Sequence, residues 1–187
     1  MTGPDQSRGY FGVGVEGLSK PLNLGALFRT AHAFAADYLF TVASPVGLKS
    51  VGRADTSESW KQLPYYAFDS PAQVQLPKGC RIVGIELVDD AIELPSFRHP
   101  AQAAYVLGRE RGALTPEMQE RCDHLVRIPT KFCVNVGIAG AIVLYDRMVS
   151  QSRFAERGVS AGGPPGGPAP ASNHGPQKVR NRAGSAP

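Results

Sequence analysis

Arg127-Ile128-Pro129-Thr130-Lys131-Phe132-Cys133-Val134-Asn135-Val136-Gly137-Ile138-Ala139-Gly140-Ala141-Ile142-Val143-Leu144-Tyr145 reads as the end of a strand, a tight loop and a helix. The apolar alternation from His124 to Ile128 predicts the strand, and Pro129 breaks it. Asn135 is a good N-cap, able to satisfy an orphan N–H at the start of the apolar run behind it. Gly137 and Gly140 each cost that helix about 1 kcal/mol relative to Ala. A helix that carries this cost usually has something close to its backbone: another helix, a ligand or a second subunit.

Two earlier stretches belong with it. One is Asn23-Leu24-Gly25-Ala26-Leu27-Phe28-Arg29-Thr30-Ala31, and the other is Val106-Leu107-Gly108-Arg109-Glu110-Arg111-Gly112-Ala113-Leu114-Thr115. In this order the three resemble the motifs of the SpoU (TrmH-like) family of SPOUT RNA methyltransferases, N-x-G-x-x-x-R, L-G-x-E-x-x-G-L and I-P…S-L-N-V-S-x-A-x-A-I-x-L-Y. The resemblance covers about residues 10–150. Each motif alone is weak, but three in order at strand-to-helix junctions make a specific signal.

Composition narrows the classes. At 187 residues and 42% hydrophobic, one domain with its own core is expected. No apolar N-terminal segment follows the start, so no secretory signal is expected. The longest apolar run, Val136 to Tyr145, is about half of a membrane span, and a cytoplasmic protein with no membrane partner is expected. Cys80, Cys122 and Cys133 are odd in number and lack a C-x-x-C pair, so neither a disulfide framework nor a zinc site is suggested. The net charge of +4 sits in residues 151–187, where five basic residues oppose only Glu156; the remainder carries 15 of each sign. Such a tail contacts nucleic acid or merely solubilises.

Along the chain, strands are predicted at Tyr10–Val15, Tyr38–Val42, Tyr65–Phe68, Arg81–Leu87 and Ala103–Leu107. A helix is predicted after Asn23, with Leu24, Leu27, Phe28, Ala31 and Ala35 on one face. A short helix is placed near Pro71–Val74, and another at Thr115–Cys122 with Thr115 as N-cap and Pro116 at N1. Ala43–Gln62 and Asp89–Pro100 read as loops. Strands alternating with helices predict an α/β fold with a mostly parallel sheet flanked by helices. Gly12-Val13-Gly14-Val15-Glu16-Gly17 spells a dinucleotide fingerprint with Asp37 downstream. We discount it, because the glycines overlap the strand instead of opening a helix. A domain over 1–157 is expected, followed by a disordered Gly/Pro-rich basic tail over 158–187.

The pattern by itself stops at a ligand site at strand C-terminal ends. The resemblance implies more: S-adenosylmethionine as cofactor, methyl transfer to a ribose 2′-hydroxyl, a homodimer, and a deep C-terminal trefoil knot. It implies that the knot loops hold the cofactor largely through backbone groups. By position these are Ile85, Gly108 and Ile128, with Cys133 and Val134 in the last loop. Apolar side chains suit the adenine plate, and Gly at 108 lets backbone approach it. Taken alone, Ile85 and Ile128 would be strand-end core residues.

For catalysis the resemblance implies Arg29, Asn23, Glu110 and Asn135. Arg29 lies off the apolar face and would act at the acceptor ribose. A guanidinium stays protonated, so binding the flanking phosphate and stabilising alkoxide charge suits it better than a base role. Asn23 would cap its helix and lie near the acceptor. Glu110 would anchor the active site by pairing with Arg29, and Asn135 would cap the last helix. Cys133 and Gly137 stand where relatives usually carry Ser, which puts a serine contact in doubt. The acceptor is RNA, tRNA before rRNA, because the chain looks like the minimal family members. Methylation of a base nitrogen, or a catalytically silent RNA-binding protein on the same fold, are the alternatives.

Overall fold

The apolar, β-branched segments form seven strands among the described residues, and every pairing between them is parallel. They are β1 (Phe11–Glu16), β2 (Tyr38–Val42), β3 (Tyr65–Phe68), β4 (Arg81–Ile85), β5 (Ile92–Glu93), β6 (Ala103–Leu107) and β7 (His124–Arg127). The sheet order is β3-β2-β1-β6-β4-β7-β5. The helices are α1 (Pro21–Ala33), α2 (Leu48–Val51), α3 (Pro116–Glu120) and α4 (Val136–Gln151). This computed structural model describes residues 9–51, 59–109, 112–152 and 154. Glu110 and the expected domain boundary and basic tail lie outside the described residues.

All of β1, β2 and β6 is buried, as a sheet covered on both faces requires. On one face Phe11, Val13 and Val15 meet Leu24, Leu27 and Phe28 of α1 and Val143 and Leu144 of α4. Each of the three α1 side chains is fully buried, worth about 1.5–3 kcal/mol apiece. On the other face Tyr38, Phe40 and Val42 pack with Val106, Leu114 and Met118.

The discounted fingerprint has a packing explanation. A Cβ at Gly12 would lie 2.2 Å from the Tyr38 ring, and one at Gly14 would lie 2.3 Å from the Phe40 ring. These glycines make room for two aromatic rings inside the sheet. Asp37 sits before β2, where its carboxylate accepts from Phe11 N (2.8 Å).

Three expectations are corrected. Helix α1 starts at Pro21 with Lys20 as N-cap, so Asn23 lies in its first turn instead of at the cap position. Proline at N1 needs no N–H partner and already has a helical φ, so the helix opens at Pro21, ahead of Asn23. Asp89–Pro100 is not all loop: β5 pairs with β7, and Leu94–Ser96 forms a 3₁₀ turn. Ala43–Gln62 contains α2 and a 3₁₀ turn at Ser59–Lys61. Of the neighbours expected at Gly137 and Gly140, the structure shows another helix of the same chain. Their Cβ positions fall 3.1 Å from Ala26 Cβ and 2.9 Å from Leu27 Cδ1, so the two glycines seat α4 on α1.

At the opposite end of α4, Arg147 is buried. It donates to Pro100 O (2.6 Å), Ala101 O (2.9 Å) and Tyr105 Oη (3.0 Å). Tyr105 Oη lies 2.7 Å from His99 Nδ1, and His99 Nε2 lies 3.0 Å from the Asp146 carboxylate. Arg147 can only donate, so Tyr105 Oη accepts from it, and the same hydroxyl links Arg147 to the imidazole. Burial lowers the His99 pKa despite the favourable carboxylate beside it.

Candidate active site at the ends of three adjacent strands

β6, β4 and β7 are neighbours and end level with one another: Ile85 is opposite Leu107 on one side and Val126 on the other. A parallel sheet leaves its carboxyl-end loops to build a site. Here those loops and the start of α4 enclose a cavity of about 360 Å³, within the usual range for small-molecule sites. The five residues expected to hold the cofactor, Ile85, Gly108, Ile128, Cys133 and Val134, all line it. Ile85 and Ile128 are buried at its wall, whereas Cys133 and Val134 are exposed at its mouth.

Of the expected catalytic residues, Asn23 and Asn135 line the same cavity. Asn135 Nδ2 donates to Asn23 Oδ1 (3.1 Å), while its Oδ1 accepts from Gly137 N (2.9 Å) as the cap of α4. The predicted cap at 135 therefore also ties α4 to α1. Arg29 does not line the cavity. It is exposed on α1 and lines an adjoining apolar groove between α1 and α4, which shares Asn135 with the cavity. Glu110 lies outside the described residues.

Two carboxylates escaped the sequence reading. Glu86, just beyond β4, lines the cavity and accepts from Leu87 N (2.9 Å) and Leu114 N (2.7 Å). Glu16, buried at the end of β1, accepts from Thr115 N (2.8 Å) and Thr115 Oγ1 (2.5 Å). Consecutive amides of the segment after Gly112 are thus held by carboxylates from two different strands. In the sequence Glu16 stands only as a member of the Gly12–Gly17 string. An acidic residue closing an apolar strand was the available signal, since a buried carboxylate must find donors. Lys20 and Arg109 add positive charge to the rim.

Gly108 shows why the cavity exists. A Cβ there would lie 2.8 Å from Glu86 Oε2 and 3.3 Å from Leu114 N. Any side chain would push the carboxylate out of place, so glycine keeps both the loop clamp and the open space. The apolar wall, the main-chain edges of three loops and the missing Cβ suit a flat heteroaromatic ligand such as the adenosyl group.

Residues 11–145 match the family described as the SpoU rRNA Methylase family. The chain belongs to that family. Two relatives of this SpoU chain illustrate the range. One is the 23S rRNA (guanosine-2′-O-)-methyltransferase RlmB of Nitrosomonas europaea, 27% identical over 158 residues, 80% of this chain and 60% of that one. The other is a tRNA (guanosine(18)-2′-O)-methyltransferase of Mus musculus, 26% identical over 138 residues, 69% of this chain and 9% of that one. The SpoU chain therefore spans less than two thirds of either relative. Among solved structures, an AdoMet-bound rRNA methyltransferase from Sinorhizobium meliloti superimposes with a TM-score of 0.67 at 25% identity, covering 78% of this chain and 58% of that one. The α/β sheet of the SpoU chain, with helices packed on it, is thus similar to that of solved methyltransferases.

Proposed function

We propose that this chain transfers the methyl group of S-adenosylmethionine to a ribose 2′-hydroxyl of RNA. The observation that carries the reading is the single cavity at the ends of β6, β4 and β7. It gathers Ile85, Gly108, Ile128, Cys133 and Val134 beside the Asn23–Asn135 pair. S-adenosylmethionine, when bound, supplies an electrophilic methyl on a sulfonium. The chain would grip the adenosyl plate between Ile85 and Ile128, with backbone of the Gly108 and Cys133–Val134 loops reading its edges. Arg29, along the neighbouring groove, would bind an acceptor phosphate and stabilise the oxyanion formed as the hydroxyl loses its proton. Asn23 and Asn135 would hold α1 and α4 at a fixed spacing between the two subsites, and Glu110 would anchor the active site by pairing with Arg29.

The acceptor is proposed to be tRNA before rRNA, and the place of action the cytoplasm. No helix among the described residues is long and apolar enough to cross a membrane. The deep trefoil knot is proposed as well. Its support is that β7 enters the sheet between β4 and β5, both earlier in the chain. A homodimer is proposed from the α1–α4 groove, where Ile138 (54% exposed) and Tyr145 (51% exposed) leave apolar surface uncovered next to Arg29. A second copy covering this groove would bring its own residues to the acceptor site. Light scattering at micromolar concentration tests it; a fully active monomer would refute it.

The decisive experiment is calorimetric titration with S-adenosylmethionine, followed by methyl transfer to size-fractionated total RNA and nuclease digestion to nucleosides. Binding with transfer to ribose is expected, in the tRNA fraction. Cofactor binding without transfer would identify a silent RNA-binding protein, and a methylated base would identify a nitrogen methyltransferase.

A further inference from the structure

Glu86 is the one acidic side chain lining the cavity among the described residues, and nothing in the motifs singles it out. Its two oxygens are fixed by main-chain donors from two different loops, Leu87 N at 2.9 Å and Leu114 N at 2.7 Å. Gly108 is shaped around it, since a Cβ at 108 would meet Oε2 at 2.8 Å. A carboxylate held this way cannot swing into solvent without orphaning two amides. Lys20 and Arg109 also line the cavity, but both are exposed and on flexible stems, whereas Glu86 is partly buried. Its field inside the cavity is therefore the less screened one.

Resting on the cofactor reading above, we propose that Glu86 is a charge-selective cofactor residue: it makes the cavity prefer S-adenosylmethionine to its demethylated product. The two ligands have nearly the same shape. They differ by one methyl and one positive charge, because loss of the methyl turns a sulfonium into a neutral thioether. S-adenosylmethionine is thus more positive by one charge wherever in the cavity it lies. A fixed negative charge on the wall attracts the substrate form over the product form. The same carboxylate holds the β4 and β6 loops together, so it also positions both halves of the site.

The two roles separate experimentally. Binding of S-adenosylmethionine and of S-adenosylhomocysteine is measured by calorimetry on the full chain, for the wild type, Glu86→Gln and Glu86→Asp, with melting temperature as the check on folding. Glu86→Gln removes the charge but keeps the shape. Its affinity ratio, substrate form over product form, should fall about 3- to 10-fold, in the range that single charge pairs command. Glu86→Asp keeps the charge but is too short to keep both main-chain bonds, so both ligands should weaken while the ratio stays near the wild-type value. An unchanged ratio in Glu86→Gln overturns the proposal and leaves a loop clamp alone. If Glu86→Gln does not fold, Glu86→Thr, whose hydroxyl can still accept from one amide, is read in the same way. A wild type that binds neither ligand overturns the cofactor reading itself, which distinguishes that failure from loss of selectivity.

Discussion

Replacing Arg147 by Met tests whether the far end of α4 is an anchor. Arg147 lies about 18 Å along the helix from Asn135 at its cap, from 12 residues at about 1.5 Å each. Met keeps an unbranched apolar stem of similar reach but removes the guanidinium, whose carbon lies 4.6 Å from the Phe11 ring centroid, so that cation–π contact is lost. Also lost are the donors to Pro100 O, Ala101 O and Tyr105 Oη. A hydrogen bond to a charged group contributes about 1.5–3 kcal/mol, and three sharing one donor group do not add fully. A loss of about 3–5 kcal/mol is expected. For a domain of this size that lowers the melting temperature by roughly 6–20 °C, at about 2–4 °C per kcal/mol. Urea unfolding followed by circular dichroism reads the loss, with an unchanged slope expected because the surface exposed on unfolding is the same. S-adenosylmethionine affinity of the folded fraction should hold within about twofold, since the cavity is at the other end of the sheet. A loss under 1 kcal/mol would mean that the segment before β6 is held without Arg147, and the anchor argument would fail.

Further outcomes follow from the same contacts. Arg29→Ala should leave cofactor affinity nearly unchanged while methyl transfer falls by about 10²–10³-fold, the usual cost of one aligned charge-stabilising donor; Arg29→Lys should rescue little, and near-normal transfer in Arg29→Ala would remove this residue from the mechanism. Gly14→Val should destabilise by at least about 1–3 kcal/mol, because its Cβ would enter the Phe40 ring at 2.3 Å; an unchanged urea midpoint would contradict that packing. Burial lowers the His99 pKa, so the unfolded chain, with an ordinary histidine near 6.5, takes up the proton first. Stability from this site is therefore full above about pH 6.5 and declines as pH falls below it. His99→Gln should flatten that part of the stability–pH curve, and an equally steep decline in the variant would assign it to other groups.

Much of the fold was legible because parallel strands buried on both faces read as continuous apolar runs. β1, β2, β3, β6 and β7 fall where Tyr10–Val15, Tyr38–Val42, Tyr65–Phe68, Ala103–Leu107 and His124–Ile128 placed them. Thr115 and Asn135 were legible as caps because capping is local chemistry between a side chain and an amide two or three residues on. The family was legible because three short motifs kept their order and spacing. Hidden from the sequence was whatever depended on a distant partner. β5 is two residues long and exists because β7 pairs with it, and no local pattern records that. Gly12 and Gly14 spelled part of a nucleotide fingerprint that their place in a strand argued against, and Gly137 and Gly140 left open what approaches their helix. In three dimensions they are sites where two rings and a helix come too near for a Cβ. Glu16 and Glu86 gained meaning only when folding set their oxygens against amides 99 and 28 residues away. Sequence records the groups that satisfy themselves within a turn or a strand. Tertiary structure alone decides which buried carboxylate finds its donors, because that depends on which strands lie side by side.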